Sequence, residues 1–188
     1  ANIALLIDAD NASPDHIDQV LLVLGELGTI NIRRAYGNWA KPALKGWGNL
    51  TGLHSIVPMQ QFDIVKGKSA TDMRMTIDAM DLLYRGAIDG FGIMSSDSDF
   101  LPLVQRIRED GLPVYGFGTA KTPQSFQQAC TRFFDVAAVR RLPSMDGGCS
   151  ATRQTQARRM RMTQSRASPP HRSEEEKNET EQMGSSIH

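Results

Sequence analysis

The sequence NIALLIDADN, residues 2–11, joins an uninterrupted apolar run to two carboxylates and an amide. Residues 3–7 are all apolar and show no alternation with polar ones. A run of this kind, followed by turn residues, is typical of a strand buried on both faces of a parallel sheet. The acidic residues after it would then lie at the carboxyl edge of the sheet, where open α/β folds bind their ligands.

Strands and helices alternate along the sequence that follows. Short apolar runs predict strands, and apolar residues at helical spacing predict helices. The predicted strands are residues 2–7, 29–36, 54–59, 90–94 and 113–117, with 134–139 as an additional edge strand. One predicted helix starts at residue 13 and a second lies within 39–52. Three more span residues 70–84, 100–108 and 123–133. This alternation predicts an α/β fold, a parallel β-sheet flanked by helices on both faces.

The helix predicted at residues 70–84 carries a single stripe of apolar residues. We assign this stripe to the core, and its members are Met73, Ile77, Met80 and Leu83. Asp78 lies off the stripe, and we therefore expect it to be solvated.

Residues 144–188 differ sharply in composition from the rest, because they contain no Leu, Val, Phe, Trp or Tyr. Such a segment cannot bury enough apolar surface to offset the entropy lost on ordering it. Its charges are separated, with six Arg and no acid in 152–172, then five Glu and one Lys in 173–182. We therefore interpret residues 1–143 as the folded domain and 144–188 as a disordered tail, Arg-rich and then Glu-rich.

Composition also excludes several classes of protein. With 21 basic and 21 acidic residues the chain has no net charge, so it is not a globally basic nucleic-acid binder. Its apolar runs are far shorter than the roughly 20 residues of a membrane-spanning helix. The first residues lack the basic segment of a signal peptide. Only Cys130 and Cys149 are present, which excludes a disulfide framework. We expect a cytoplasmic protein that does not bind membranes.

Carboxylates follow the first and fourth predicted strands. Asp8 and Asp10 follow the first, Asp97 and Asp99 follow the fourth, and Asp72 begins the helix before the fourth. Because like charges repel strongly at short range, such a cluster favours a divalent cation between them. Carboxylate oxygens are the ligands that Mg²⁺ and Mn²⁺ prefer. A pair of these ions suits phosphodiester hydrolysis, since one lowers the pKa of the attacking water and the other stabilises the leaving oxygen.

Each acid also has a purely structural interpretation. Residues 69–72 and 96–99 both fit a capping box, and Asp97 or Asp99 alone can cap the helix that follows. Asp10 is also a typical turn residue. Two acidic strand ends at the same edge of one sheet favour a functional site over separate caps and turns.

Basic and aromatic residues flank the predicted site. Lys66 and Lys68 precede the helix with Asp72 and would hold substrate phosphates by charge, or belong to a solvated loop. Trp39 and Trp47 lie among lysines and would stack on bases, or pack in the core. No histidine directly follows a predicted strand, and neither a catalytic triad nor a phosphate-binding glycine loop is evident.

Four stretches, in this order and at this spacing, form a specific pattern. They are IDADN at 7–11, KSATDMRMTIDAMDLLY at 68–84, SSDSDF at 95–100 and GFGTAKTP at 116–123. Together they resemble the NYN domain family, the LabA-like relatives of the PIN-domain nucleases. The resemblance implies a Rossmann-like PIN fold with the strand order 3-2-1-4-5. It implies metal binding and catalysis by Asp8, Asp72, Asp97 and Asp99, and we expect substrate contacts from Asn11, Ser96, Lys66 and Lys68.

The implied activity is that of a Mg²⁺- or Mn²⁺-dependent endoribonuclease, acting on single-stranded or structured RNA. A metal-activated water, rather than a side chain, would attack phosphorus. The first alternative is a noncatalytic RNA-binding or regulatory module on the same fold. The second is a phosphatase of the haloacid dehalogenase type, with Asp8 as nucleophile and Asp10 as acid. That family has Thr or Val where this chain has Ala12. Nothing in the sequence indicates a homo-oligomer.

Overall fold

The computed structural model describes residues 1–63 and 69–138. Its strands are β1 (Asn2–Asp8), β2 (Thr29–Gly37), β3 (Val57–Gln60), β4 (Gly90–Met94), β5 (Val114–Gly118) and β6 (Arg132–Asp135). All adjacent pairs are parallel, and the strands form one sheet with the order β3-β2-β1-β4-β5-β6. The predicted α/β fold is confirmed, and β6 extends the predicted order of the first five strands by one.

The helices cover both faces of this sheet. They are α1 (Ile17–Leu27), α2 (Gly48–Leu53), α3 (Ala70–Arg85), α4 (Leu101–Glu109) and α5 (Gln124–Ala129). Short 3₁₀ turns at Pro14–His16, Pro42–Trp47 and Ser98–Phe100 precede α1, α2 and α4. The turn before α1 is capped by Ser13, whose hydroxyl accepts the N–H of Asp15 at 3.3 Å.

The central strand β1 separates two hydrophobic cores. Its odd-numbered apolar residues pack with α1, whereas its even-numbered ones, Ala4 and Leu6, pack with α3 and α4. This division follows from the alternation of side chains along a strand. Asp8, the last residue of β1, continues the row of Ala4 and Leu6. The strand therefore places this carboxylate on the side of the sheet that α3 covers.

Only part of the predicted apolar stripe of α3 faces the core. Leu83 is buried and Met80 packs against the core, as predicted, but Met73 and Ile77 are 67% and 54% exposed. The helix also buries Met75, Ala79 and Leu82, so its buried stripe is shifted around the helix from the predicted one. The buried stripe includes Asp78, which is 8% exposed, so the prediction that Asp78 is solvated is wrong.

Two other boundaries differ from prediction. The third strand was predicted at 54–59 but is Val57–Gln60, because α2 ends at Leu53 and Ser55 adopts the left-handed conformation. The last helix was predicted at 123–133 but ends at Ala129, and the edge strand is Arg132–Asp135 instead of 134–139. Phe133 and Phe134 belong to opposite cores, which is the period of a strand and not of a helix.

Within residues 1–63 and 69–138, no helix has the length and apolar character needed to cross a bilayer. The predicted tail at 144–188 lies outside the residues that the structure describes, as do Lys66 and Lys68. The domain boundary at residue 143 and the disorder of the tail therefore stay predictions.

Candidate functional site

Three carboxylates meet at the carboxyl edge of the sheet. Asp97 and Asp99 lie in the segment after β4, and Asp72 lies in the first turn of α3. One carboxylate oxygen from each of the three lies within 4.8 Å of the others. We call Asp72, Asp97 and Asp99 the acidic cluster. Asp97 and Asp72 are half-buried and Asp99 is exposed, so the cluster is open to solvent on the side of Asp99.

Asp8 lies beside the acidic cluster and is fully buried. Its Oδ2 accepts hydrogen bonds from Asn11 Nδ2 at 2.9 Å and from Ser95 Oγ at 2.8 Å. Its Oδ1 is also buried and accepts none from the described residues. Burial raises the pKa of Asp8, the two hydrogen bonds lower it, and the charges of Asp10 and Asp97 raise it further. A buried carboxylate with one unpartnered oxygen is costly unless a cation or a proton is supplied.

Ser95 joins Asp8 to the acidic cluster. Its hydroxyl donates to Asp8 and accepts the backbone N–H of Asp97 at 3.1 Å. Asp97 Oδ1 in turn accepts the N–H of Asp99 at 2.9 Å, which caps the 3₁₀ turn anchored in the core by Phe100. Asp97 therefore caps this turn, which is one of the two roles that the sequence allowed. The capping hydrogen bond also fixes its carboxylate at the site, so the structural role and a functional role are compatible.

Asp72 carries the clearest electrostatic sign of crowding. Partial burial, followed by the charges of Asp8, Asp97 and Asp99, raises its pKa from 3.8 to about 6, against a lowering by the hydroxyl of Ser69. Ser69 is the N-cap of α3 but its side chain forms no capping hydrogen bond, so the capping box predicted at 69–72 is not formed. The neighbouring carboxylates repel the charge of Asp72, and the hydroxyl of Ser69 offsets this only in part.

The donor set fits a hard divalent cation. Every candidate ligand is a carboxylate oxygen, which Mg²⁺ and Mn²⁺ accept readily and which does not suit a thiolate-preferring ion. A cation between Asp8 and the acidic cluster would offset the repulsion that raises the pKa of Asp72, and it would give the buried Asp8 Oδ1 a partner. The residues present therefore match the metal centre that the sequence predicts.

Asp10 is held away from the acidic cluster by its own partners. Its Oδ2 accepts the hydroxyl of Thr71 at 3.0 Å, and its Oδ1 lies 3.6 Å from Lys41 Nζ. Lys41 is also 2.8 Å from Asp63, which raises the pKa of the lysine and lowers that of Asp63. Both carboxylate oxygens of Asp10 thus have partners within the protein, which does not favour Asp10 as the acid of a phosphatase. It ties β1 to the start of α3 and to the segment after β2.

The other predicted substrate contacts divide into two groups. Ser96 and Asn11 lie at the site: Ser96 Oγ accepts the N–H of Thr119 at 3.2 Å, and the exposed Asn11 orients Asp8. A Cβ at Gly118 would lie 3.0 Å from Ser96 Oγ, so glycine permits the close approach of the segments after β4 and β5. The structure does not describe Lys66 and Lys68, and their role stays a prediction.

The burial of a second carboxylate, that of Asp78, was not predicted from the sequence. Asp78 accepts the hydroxyl of Tyr36 at 3.0 Å and lies 3.3 Å from both Arg34 and Arg74. Burial and the neighbouring Asp78 raise the pKa of Tyr36. The available signal was the placement of Arg34 and Tyr36 two residues apart on β2, which puts both on one face of the strand. These contacts fasten α3, and with it Asp72, to the sheet.

The two tryptophans do not form a stacking surface together. Trp47 is 1% exposed and belongs to the core that packs against α1, so the hypothesis that it stacks on bases is wrong. Trp39 is half-buried, and its indole N–H donates to the carbonyl of Met59 at 3.1 Å.

Comparison with known proteins places this geometry in a family. The model of the NYN domain matches residues 2–138. An uncharacterised protein of Methanocaldococcus jannaschii is 31% identical over an alignment of 129 residues, and the match covers 63% of this chain and 50% of that protein. This chain thus matches only half the length of that relative. A crystal structure of a protein of unknown function from Vibrio parahaemolyticus superposes with a TM-score of 0.56 at 19% identity, covering 71% of this chain and 91% of that one, and it shows the same fold. The chain belongs to the NYN domain family, which is part of the PIN-like nuclease superfamily.

Proposed function

We propose that this protein is a ribonuclease that depends on Mg²⁺ or Mn²⁺, with Asp8, Asp72, Asp97 and Asp99 as its metal ligands and catalytic residues. One observation carries the proposal: three carboxylates lie within 4.8 Å of one another beside a fully buried fourth, which has one unpartnered oxygen. Membership of the NYN family supports a nuclease. The choice of RNA rests on the family resemblance, and the 2′-hydroxyl is the group by which a protein can distinguish RNA from DNA.

The residues of the site have distinct roles in this proposal. Asp8 is oriented by Asn11 and Ser95, which occupy one of its oxygens and leave the other for a cation. Asp97 uses one oxygen to cap the turn and presents the other to the site. Asp72, at the start of α3, completes the set. Its pKa is about 6, and its carboxyl group must be deprotonated before it binds a cation. A bound divalent cation supplies charge neutralisation and Lewis-acid activation of water for hydrolysis of the phosphodiester.

The surroundings support a polymeric substrate. The exposed Asp99 and Asn11 lie at the solvent side of the site, where a strand of RNA can reach it. Lys66 and Lys68, just before α3, are the residues that we propose hold its phosphates. We further propose a cytoplasmic location, supported by the one cysteine of the described residues, Cys130, which is a buried free thiol.

The test is cleavage of a labelled single-stranded RNA and of its DNA counterpart with Mn²⁺, Mg²⁺ or EDTA. We expect metal-dependent cutting of the RNA by the wild type and by Asp81→Asn, a matched control that removes an exposed carboxylate from α3. Asp97→Asn should not cut. Cutting at the wild-type rate by both Asp8→Asn and Asp97→Asn would overturn the proposal. RNA that is bound but never cut would favour the noncatalytic RNA-binding module.

A further inference from the structure

A hydrogen bond between Asp10 and Thr71 joins the two elements that carry Asp8 and Asp72. Asp10 lies two residues after Asp8, in the segment that follows β1, and Thr71 directly precedes Asp72 in the first turn of α3. The hydroxyl of Thr71 donates to Asp10 Oδ2 at 3.0 Å. Two proposed metal ligands that are far apart in the chain are thus connected through their close neighbours.

The first turn of α3 depends on this contact because it is not capped. Ser69 is the N-cap residue, but its side chain forms no capping hydrogen bond. The first N–H groups of a helix have no partner within the helix, so an uncapped first turn is the part that frays most easily. Asp72 lies in this turn. Its position relative to Asp8 therefore needs support from outside the helix.

The other contact that holds α3 lies too far along the helix to provide that support. Asp78 accepts the hydroxyl of Tyr36 at 3.0 Å, which fastens the helix to β2. Asp78 comes six residues after Asp72, about 9 Å further along the helix axis. The Tyr36 contact fixes the body of the helix, whereas the Thr71 contact fixes the turn that carries Asp72.

The hydrogen bond between Thr71 and Asp10 is sheltered from water. Thr71 is 6% exposed, and the side chain of Asp10 is 17% exposed. A hydrogen bond to a carboxylate is stronger where water does not compete for it. This contact is therefore strong enough to hold a helix end in place.

Lys41 favours Asp10 as a hydrogen-bond acceptor and not as a metal ligand. Oδ1 of Asp10 lies 3.6 Å from Lys41 Nζ, which is itself 2.8 Å from Asp63. Both oxygens of Asp10 thus have partners within the protein. The lysine also offsets the charge that Asp10 would otherwise add beside the acidic cluster.

We propose that Asp10 and Thr71 are positioning residues, which hold Asp72 at a fixed distance from Asp8 and so make the site prefer a small octahedral cation over Ca²⁺. The inference rests on the proposed function and names the residues that determine its metal preference. Mg²⁺ requires near-ideal octahedral geometry with oxygens at about 2.0–2.1 Å, whereas Ca²⁺ accepts longer bonds of about 2.3–2.6 Å in a flexible arrangement. Loss of a fixed ligand position therefore costs more affinity for the small ion than for Ca²⁺.

Metal binding in the absence of RNA tests the proposal. The electron paramagnetic resonance signal of free Mn²⁺ gives the affinity for that ion, and displacement of Mn²⁺ by Ca²⁺ gives the affinity for the second. Thr71→Val replaces the hydroxyl by a methyl group, and Thr71→Ser keeps a hydroxyl. Thr76→Val is the matched control, because it makes the same change at a half-buried threonine further along α3.

We expect Thr71→Val to bind Mn²⁺ about tenfold more weakly, the scale for removing a group that orients a metal ligand. Its affinity for Ca²⁺ should change little, so the preference for Mn²⁺ over Ca²⁺ falls by about the same factor. Thr71→Ser and Thr76→Val should keep the preference of the wild type. A merely structural role would not change this preference, since a smaller folded fraction weakens the apparent binding of both ions alike.

Asp10→Asn separates positioning from charge. Its amide keeps an oxygen that can accept the hydroxyl of Thr71, while the negative charge is lost. The proposal expects this variant to retain the preference for Mn²⁺ over Ca²⁺. Weaker binding of both ions by Asp10→Asn, together with wild-type binding by Thr71→Val, would show that Asp10 acts through its charge and would overturn the proposal.

The same preference in the wild type and in Thr71→Val, with both shown to be folded by circular dichroism, would also overturn it. If Thr71→Val fails to fold, Thr71→Ala replaces it under the same criterion. Failure of this inference is distinct from failure of the proposed function. Saturable Mn²⁺ binding by the wild type, with an unchanged preference in the Thr71 variants, would retain the metal centre and remove the positioning role of Asp10 and Thr71.

Discussion

At the scale of single residues, the hydroxyl of Ser95 connects the two halves of the site. It donates to Asp8 and accepts the N–H of Asp97, and the residue is 1% exposed. Removal of a group that hydrogen-bonds to a metal ligand typically lowers metal affinity by about 10- to 100-fold. The position of Asp8 therefore depends on a residue that does not itself face the cation.

We expect Ser95→Ala to weaken Mn²⁺ binding by about 10- to 100-fold, because Asp8 and Asp97 both lose the group that fixes them. Isothermal titration with Mn²⁺ measures the change. Ser98→Ala removes a hydroxyl from an exposed residue of the same segment and should bind as the wild type does. Equal affinities for the two variants would show that Ser95 does not orient the ligands.

Asp72 predicts a pH dependence whose sign follows from its raised pKa. The folded protein holds this proton with a pKa of about 6, against 3.8 for the ordinary side chain. The folded state thus binds the proton more tightly than the unfolded state, and the metal-free protein should lose stability as pH rises from about 4 to 6. Asp72→Asn should show a flatter profile and be more stable than the wild type at pH 7.

Urea unfolding of the metal-free protein, followed between pH 4.5 and 7, measures this difference. Mn²⁺ should bind more weakly as the pH falls below about 6, because Asp72 must then lose a proton to become a ligand. Parallel pH profiles of stability for the wild type and Asp72→Asn would contradict the raised pKa of Asp72.

The sequence predicted Asp8, Asp97 and Asp99 at one sheet edge because they come at or shortly after the ends of two strands, and it added Asp72 because this residue begins the helix that leads to the second of them. Residues whose partners come from distant elements were harder to interpret. Asp10 accepts a hydrogen bond from Thr71 and pairs with Lys41, and Asp78 is buried by contacts with β2. Neither set of contacts is visible in local spacing, because each depends on how α3 sits on the sheet.

At the scale of elements, the orientation of α3 is the feature that local pattern could not settle. The helix presents one apolar stripe to solvent and buries another that contains Asp78. The contacts of Asp78 with Tyr36 and Arg34 belong to the buried stripe and hold the helix in this orientation. Of the predicted stripe, Met80 and Leu83 lie on the buried side of the helix, whereas Met73 and Ile77 lie on the exposed side.

We expect Leu82→Ala to lower the free energy of unfolding by about 2–5 kcal/mol, since it opens a cavity in the core. Ile77→Ala, a matched aliphatic truncation on the exposed face of the same helix, should change it by no more than about 0.5 kcal/mol. Chemical denaturation of the two variants measures both changes. The opposite ranking would mean that α3 packs through the stripe with Met73 and Ile77.

The end of the sheet shows the same limit on local prediction. The predicted boundary between the last helix and the edge strand separated Phe133 from Phe134, yet both lie on strand β6. Phe134 stacks on Phe117, and Phe133 packs edge-on against Phe126. Short aromatic segments fit a helix or a strand equally well until their cross-strand partners are known.

At the scale of the whole molecule, the order of the strands explains why the acids converge. β1 and β4 are neighbours in the sheet, with α1 packed on one face and α3 on the other. Connections leave β1 and β4 in different directions, and a crevice forms between them at the carboxyl edge. The alternation of strands and helices predicts the parallel sheet, whereas the order that makes β1 and β4 neighbours is what the resemblance to the NYN family implies.

We also expect the acidic cluster to make the stability of the fold depend on divalent cations. Ligands that bind only the folded state stabilise it, by about 2.7 kcal/mol at a hundred times the dissociation constant. The metal-free protein instead carries the repulsion among Asp8, Asp72 and the two acids after β4. Removing the divalent cation should therefore lower stability and abolish cleavage together.

The most direct measurement is a titration of the protein with Mn²⁺, followed by the electron paramagnetic resonance signal of the free ion. We expect the wild type and Asp81→Asn to remove Mn²⁺ from solution at a saturable site, and Asp97→Asn to leave it free. Saturable binding that is the same in the wild type and in Asp97→Asn, or no binding by either, would contradict a metal centre built by these carboxylates.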